Sequence, residues 1–152
     1  RVLVPSASTL APEKKPEMMA SEITDRLIEA IQNNAFDFIL VNYANGDTIA
    51  HTADYAAGLE AVRTIGREID RVLKVAIKPQ TTIIITSDHG NAEEMISPTT
   101  GLPESQHDPN PVPFYLISPE FRGRKFLNWK NYATETMGSL PMWRRQYWKS
   151  WA

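Results

Sequence analysis

Two short, unbroken apolar runs constrain the fold of this chain more than any other feature. Phe38-Ile39-Leu40-Val41 and Ile83-Ile84-Ile85 are mostly aromatic and β-branched and are too short for buried helices. Strict alternation would mark a strand with one wet face. A continuous run marks a strand covered on both faces, as in a parallel sheet. Between the runs the period changes. Leu59, Val62, Ile65, Ile69, Val72, Leu73 and Ala76 recur at helical spacing, while Arg63, Arg67, Asp70, Arg71 and Lys74 fall on the other faces. Asp70 and Lys74 form an i,i+4 pair. The spacing predicts a helix from about Tyr55 to Ile77, stopped by Pro79.

The rest of the chain extends this pattern. Residues 1–16 read as irregular. Ser21 is placed to cap a helix reaching about Asn33, with Ile23, Leu27 and Ile31 on one face. Strands are expected over Phe36–Tyr43 and Thr82–Thr86. A loop with five prolines, from Pro98 to Pro113, then leads to a third strand over Phe114–Ile117. The order helix, strand, helix, strand, loop, strand predicts an α/β fold: three layers, with a mainly parallel sheet and helices on both faces.

In such sheets chemistry gathers beyond the carboxyl ends of the strands. That rule selects Asn42 to His51 after the first run and Ser87 to Glu94 after the second. The chain has three histidines, His51, His89 and His107, and no cysteine. Disulfides, zinc–thiolate sites and cysteine nucleophiles are therefore excluded. Asp47 precedes His51 by four residues, Asp88 directly precedes His89, and His107 lies in the proline-rich loop. Carboxylates and imidazoles without thiolates suit hard to borderline divalent ions such as Mn, Mg, Co or Zn. Such ions polarise phosphoryl oxygens and hold nucleophiles as anions. Taken singly, each group has a plainer reading. Asp-x-x-x-His is a cap and a surface histidine, Asp-His-Gly and Asn45-Gly46 are turns, and His107 is a loop residue. The metal reading rests on both Asp/His pairs ending strands of one sheet.

The same segments carry a resemblance. Val4-Pro5-Ser6, Lys15-Pro16-Glu17-Met18, Asn42-Tyr43-Ala44-Asn45-Gly46-Asp47, His51-Thr52, Asp88-His89-Gly90-Asn91-Ala92-Glu93 and Asn110-Pro111-Val112-Pro113-Phe114 resemble the cofactor-independent phosphoglycerate mutases of the alkaline-phosphatase superfamily. The resemblance runs in order from Arg1 to about Pro141. It implies two divalent ions, usually manganese: Asp47, His51 and His107 as ligands of one, Asp88 and His89 as ligands of the other. It further implies interconversion of 3-phosphoglycerate and 2-phosphoglycerate through a phosphoserine intermediate. The family's nucleophilic serine and a further Asp ligand have no counterpart here. The chain therefore reads as the second half of one phosphatase-like domain, expected to be inactive by itself. Ala50 stands where the family usually has Gly, and the residues around His107 also depart from its pattern. The alternatives are another metal-dependent phosphatase or phosphodiesterase of the superfamily, or a catalytically inert fragment.

Length and charge set further expectations. The chain has 152 residues, which suits one domain, and its formal net charge is -2. No apolar run approaches the roughly 18 residues of a membrane span. Arg1 leads into Val2-Leu3-Val4 without the form of a signal peptide, so the expected location is cytoplasmic. The expected partner is a small phosphoglycerate, with no nucleic acid and no membrane. An uncovered sheet edge or face is expected to promote self-association.

The charge is uneven. Residues 122–152 hold seven Lys/Arg and one acidic residue, with all four tryptophans. After Pro141 the family typically continues Asp-Val-Ala-Pro-Thr-Ile-Leu-Glu-Ile-Leu-Gly. One encoding of that helix, with its first base removed, reads Met-Trp-Arg-Arg-Gln-Tyr-Trp-Lys-Ser-Trp-Ala, which is residues 142–152 as they stand. These residues are therefore expected to be a non-native tail from a lost base. Their Trp and Arg content would then signal neither membrane nor nucleic-acid binding.

Overall fold

A computed structural model describes residues 1–6 and 11–121. The sequence expectations for residues 122–152 lie outside the described residues. The chain divides into two compact units, one of residues 1–78 and 91–106, the other beginning with residues 79–90 and resuming at 107.

The first unit is helical. Helix α1 spans Ala20–Gln32, α2 spans Asn45–Ala50 and α3 spans Tyr55–Ala76. Helix α1 begins one residue before the expected Ser21. Met19 sits at its cap without a side-chain hydrogen bond, and Ser21 lies within the first turn. Ser21 instead accepts a hydrogen bond from Arg71 at 3.2 Å. Helix α3 matches its expected span. Asp54 caps it, its carboxylate accepting from the Ala57 N–H at 3.0 Å. The face it buries matches the expected one only in part: Ala76 is buried, and Ile65, Ile69, Val72 and Leu73 are half-buried. Ala57, Gly58, Ala61, Thr64 and Glu68 are buried, whereas Leu59 and Val62 are exposed. Spacing alone assigns the largest side chains to the core. Close packing against α1 and α2 favours the stripe with the smallest ones.

Helix α2 replaces the turn suggested by Asn45-Gly46. Its Ile49, with Ala57 and Ala61 of α3, forms the buried apolar cluster, against which Met18 packs. Asn45 is also buried, and its amide donates to the carbonyls of Pro16 and Glu17, both at 2.8 Å. These bonds fasten the incoming chain to the start of α2. Arg71 of α3 reaches α1. It donates to Asp25 at 2.5 Å and to Glu68 at 2.6 Å, which supplies the buried Glu68 carboxylate with a partner.

The segment expected as a strand over Phe36–Tyr43 is not one. It has no ladder partners among the described residues and bends at Asp37, and Phe36, Phe38 and Leu40 are 66%, 76% and 83% exposed. An extended apolar run becomes a strand only when a neighbour takes its N–H and C=O groups.

The second unit holds one two-stranded sheet. Strand β1 is Ile83–Thr86 and β2 is Phe114–Ile117, both within the expected segments. They pair antiparallel, Ile83 opposite Ile117 and Thr86 opposite Phe114. The mainly parallel three-layer sheet is thus not formed among the described residues. Nor is β1 covered on both faces: Ile84 is 58% exposed.

Candidate functional site

The first unit positions Asp47, His51 and Asn91. Asp47 and His51 lie one helical turn apart on α2, His51 at its C-terminal cap. That spacing stacks the two side chains on one face. His51 Nε2 is 3.2 Å from Asp47 Oδ1, and both side chains are nearly half exposed. His51 Nδ1 is 2.6 Å from the Ser105 carbonyl oxygen. A carbonyl only accepts, so Nδ1 carries the proton of this bond. In the neutral imidazole Nε2 is then bare, and its lone pair faces a carboxylate oxygen. Two acceptors at that distance repel unless a proton or a cation lies between them. Asp47 and His51 thereby present one oxygen and one nitrogen donor to a shared position.

Asn91 borders this pair. It is 4% exposed, and its Nδ2 donates to Asp47 Oδ1 at 2.8 Å. The Asn91 backbone is held at both ends. Its N–H donates to Glu93 Oε2 at 3.0 Å, and its carbonyl accepts from the Glu94 N–H at 3.1 Å. The short 3₁₀ turn Ala92–Glu94 follows, then the buried Met95. The Ser105 carbonyl is placed by an ordered loop. Glu104 N–H donates to the Met95 carbonyl and Ser97 N–H to the Leu102 carbonyl, both at 2.9 Å. Gly101 turns within it at φ 68°, where a side chain would be strained.

The second unit carries Asp88, His89 and His107. Asp88 and His89 follow β1 after Ser87. Their donors face one another, His89 Nε2 lying 3.7 Å from Asp88 Oδ2. His89 Nδ1 is 3.2 Å from the Gly90 carbonyl, again leaving Nε2 as the available nitrogen of the neutral ring. Gly90 bridges to Asp108, whose N–H donates to the Gly90 carbonyl at 3.1 Å. Beside that bridge the rings of His89 and His107 stack, with centroids 3.7 Å apart at 25°.

Within the first unit Asp47 lies beside His51, and within the second His89 lies beside both Asp88 and His107. Both Asp/His pairs share one design, Nδ1 on a backbone carbonyl and Nε2 toward a carboxylate. Imidazoles poised to bind metal are held in this way. The residues present thus fit a divalent cation held by oxygen and nitrogen donors. Sequence reasoning assigned no role to Asn91 or to the Ser105 carbonyl. Asn91 could have been suspected from its place directly after Asp88-His89-Gly90. A backbone carbonyl leaves no mark in sequence.

Comparison with known proteins agrees with this chemistry. The model of the Metalloenzyme superfamily matches residues 1–143. A 2,3-bisphosphoglycerate-independent phosphoglycerate mutase of Clostridioides difficile (strain 630) is 38% identical over 84% of this chain and 25% of its own length. The enzyme of the same name from Cellvibrio japonicus (strain Ueda107) is 42% identical over 78% of this chain and 23% of its own. Among solved structures, a Leishmania mexicana phosphoglycerate mutase, crystallised at low cobalt concentration, superposes with a TM-score of 0.72. It is 26% identical, over 80% of this chain and 24% of that one. The chain thus spans about a quarter of the length of these relatives. This structural likeness supports an alkaline-phosphatase-like fold, and the donor chemistry supports divalent metal binding. Its sequence match over residues 1–143 shows that the chain belongs to the Metalloenzyme superfamily.

Proposed function

We propose that this chain is the metal-binding part of a cofactor-independent phosphoglycerate mutase, an enzyme interconverting 3-phosphoglycerate and 2-phosphoglycerate. The observation that carries the reading is His51: its Nδ1 proton is committed to the Ser105 carbonyl, and its Nε2 faces Asp47 at 3.2 Å. The identity to mutases over most of this chain supports the choice of reaction. In this reading Asp47 and His51 hold one divalent ion, joined by His107, two residues beyond Ser105. Asp88 and His89 contribute to a second. The donor set of carboxylate and imidazole suits Mn2+, with Mg2+, Co2+ or Zn2+ as alternatives. Such ions, when bound, polarise a phosphoryl oxygen and lower the pKa of a hydroxyl nucleophile. The chain's own residues fix the ligand tautomers and aim the bare nitrogens. The same proposal extends to a cytoplasmic location, to a parallel sheet completed by further segments of the domain, and to residues 142–152 as a non-native tail.

The reading is tested by calorimetric titration of this chain and its His51→Ala variant with Mn2+. Wild type is expected to bind, and His51→Ala to bind at least about tenfold more weakly. Equal affinity in the two would remove the assignment.

A further inference from the structure

We propose that Asn91 is a positioning residue that holds Asp47 in its metal-binding orientation, an inference that rests on the metal-site reading above. Asp47, when ionised, can only accept, so the amide must turn its NH2 toward it, which fixes the orientation of the Asn91 side chain. The Asn91 oxygen is then directed elsewhere. It is buried, with no hydrogen-bond partner among the described residues. A buried amide with an unsatisfied oxygen is a poor choice for stability alone, because an apolar side chain of similar size would avoid that cost. What the amide supplies, and an apolar group cannot, is a donor 2.8 Å from Asp47 Oδ1.

The donor is also preorganised. Both backbone groups of Asn91 are hydrogen-bonded, to Glu93 and Glu94, so the side chain starts from a fixed platform. Asp47 stands on a short helix with its side chain 42% exposed, where a carboxylate would otherwise sample several rotamers. A buried, anchored N–H on one oxygen selects one of them. His51 is held in the same way by the Ser105 carbonyl. Each member of the pair thus has its own fixed partner, Asn91 for the carboxylate and Ser105 for the imidazole.

The test is Mn2+ affinity by calorimetry on wild type, His51→Ala and Asn91→Leu, with thermal unfolding of each chain without metal. Asn91→Leu keeps the branching at Cγ and removes the donor. The expected result is a fall in affinity of about 10–100-fold with the metal-free melting temperature of wild type retained or raised. A purely structural role would lower the melting temperature and leave the affinity. If His51→Ala weakens binding and Asn91→Leu matches wild type, the proposal fails and the metal site stands. If both match wild type, the site fails and the proposal with it. Should Asn91→Leu not fold, the side-chain NH2 resonances of Asn91 decide. In metal-free protein they are expected to shift between wild type and Asp47→Asn, and unchanged resonances would overturn the proposal.

Discussion

Gly58→Ala offers the sharpest test of how the first unit is packed. Gly58 is buried on α3, and a Cβ added there would lie 2.3 Å from Met95 Sδ and 2.9 Å from Met95 Cε. Both distances are far inside van der Waals contact, so Met95 must move. A methionine usually yields easily. Met95, however, is only 3% exposed and follows the turn that carries Asn91. Two effects oppose one another. Alanine in place of glycine inside a helix stabilises by about 1 kcal/mol. Overpacking a tight interior costs about 1–3 kcal/mol. The expected net effect is a destabilisation between about 0 and 2 kcal/mol, against a gain of about 1 kcal/mol at an unobstructed site. Truncating Met95 removes the obstruction. In a Met95→Ala background Gly58→Ala is therefore expected to stabilise, with a coupling of about 1–3 kcal/mol between the positions. Urea unfolding followed by circular dichroism on the four proteins of the cycle measures this. If Gly58→Ala stabilised both backgrounds by the same amount, the close approach of Met95 to α3 would be refuted.

Two further outcomes follow from the same structure. Thr24 Oγ1 spends its proton on the Ala20 carbonyl, so Tyr43, 2.8 Å away, is the donor of their bond. Burial pushes the Tyr43 hydroxyl above its usual 10.0. Because the folded value is the higher one, this contribution is whole below the unfolded value and is lost as pH rises through the folded one. Tyr43→Phe is expected to cost about 0.5–1.5 kcal/mol near neutrality and to destabilise less at alkaline pH. Parallel alkaline limbs in urea titrations of the two proteins would contradict this. Phe36, Phe38 and Leu40 form an exposed apolar cluster in sequence, which is expected to drive self-association of the isolated chain. Light scattering on wild type and Phe38→Lys should show smaller assemblies for the variant, and a clean wild-type monomer at high concentration would count against it.

Local pattern determined a good deal by itself. The 3.6-residue period set the extents of α1 and α3 to within about two residues, because helix hydrogen bonds close within the segment. The β-branched run Ile83–Ile85 marked β1. The absence of cysteine, with Asp and His following the two apolar runs, limited any metal site to oxygen and nitrogen donors. Which face of α3 is buried was decided only in three dimensions, since the close neighbours α1 and α2 select Ala57, Ala61 and Thr64 over Leu59 and Val62. Phe36–Tyr43 shows the same limit for strands: its residues favour extension, but a strand exists only where another supplies the matching hydrogen bonds. Asn45 and Asn91 illustrate it for polar side chains. In sequence one is a turn signal and the other a motif neighbour. Only tertiary contact makes the first a buried tether and sets the second against Asp47, because a hydrogen bond across 44 residues of chain depends on how the backbone folds between its ends.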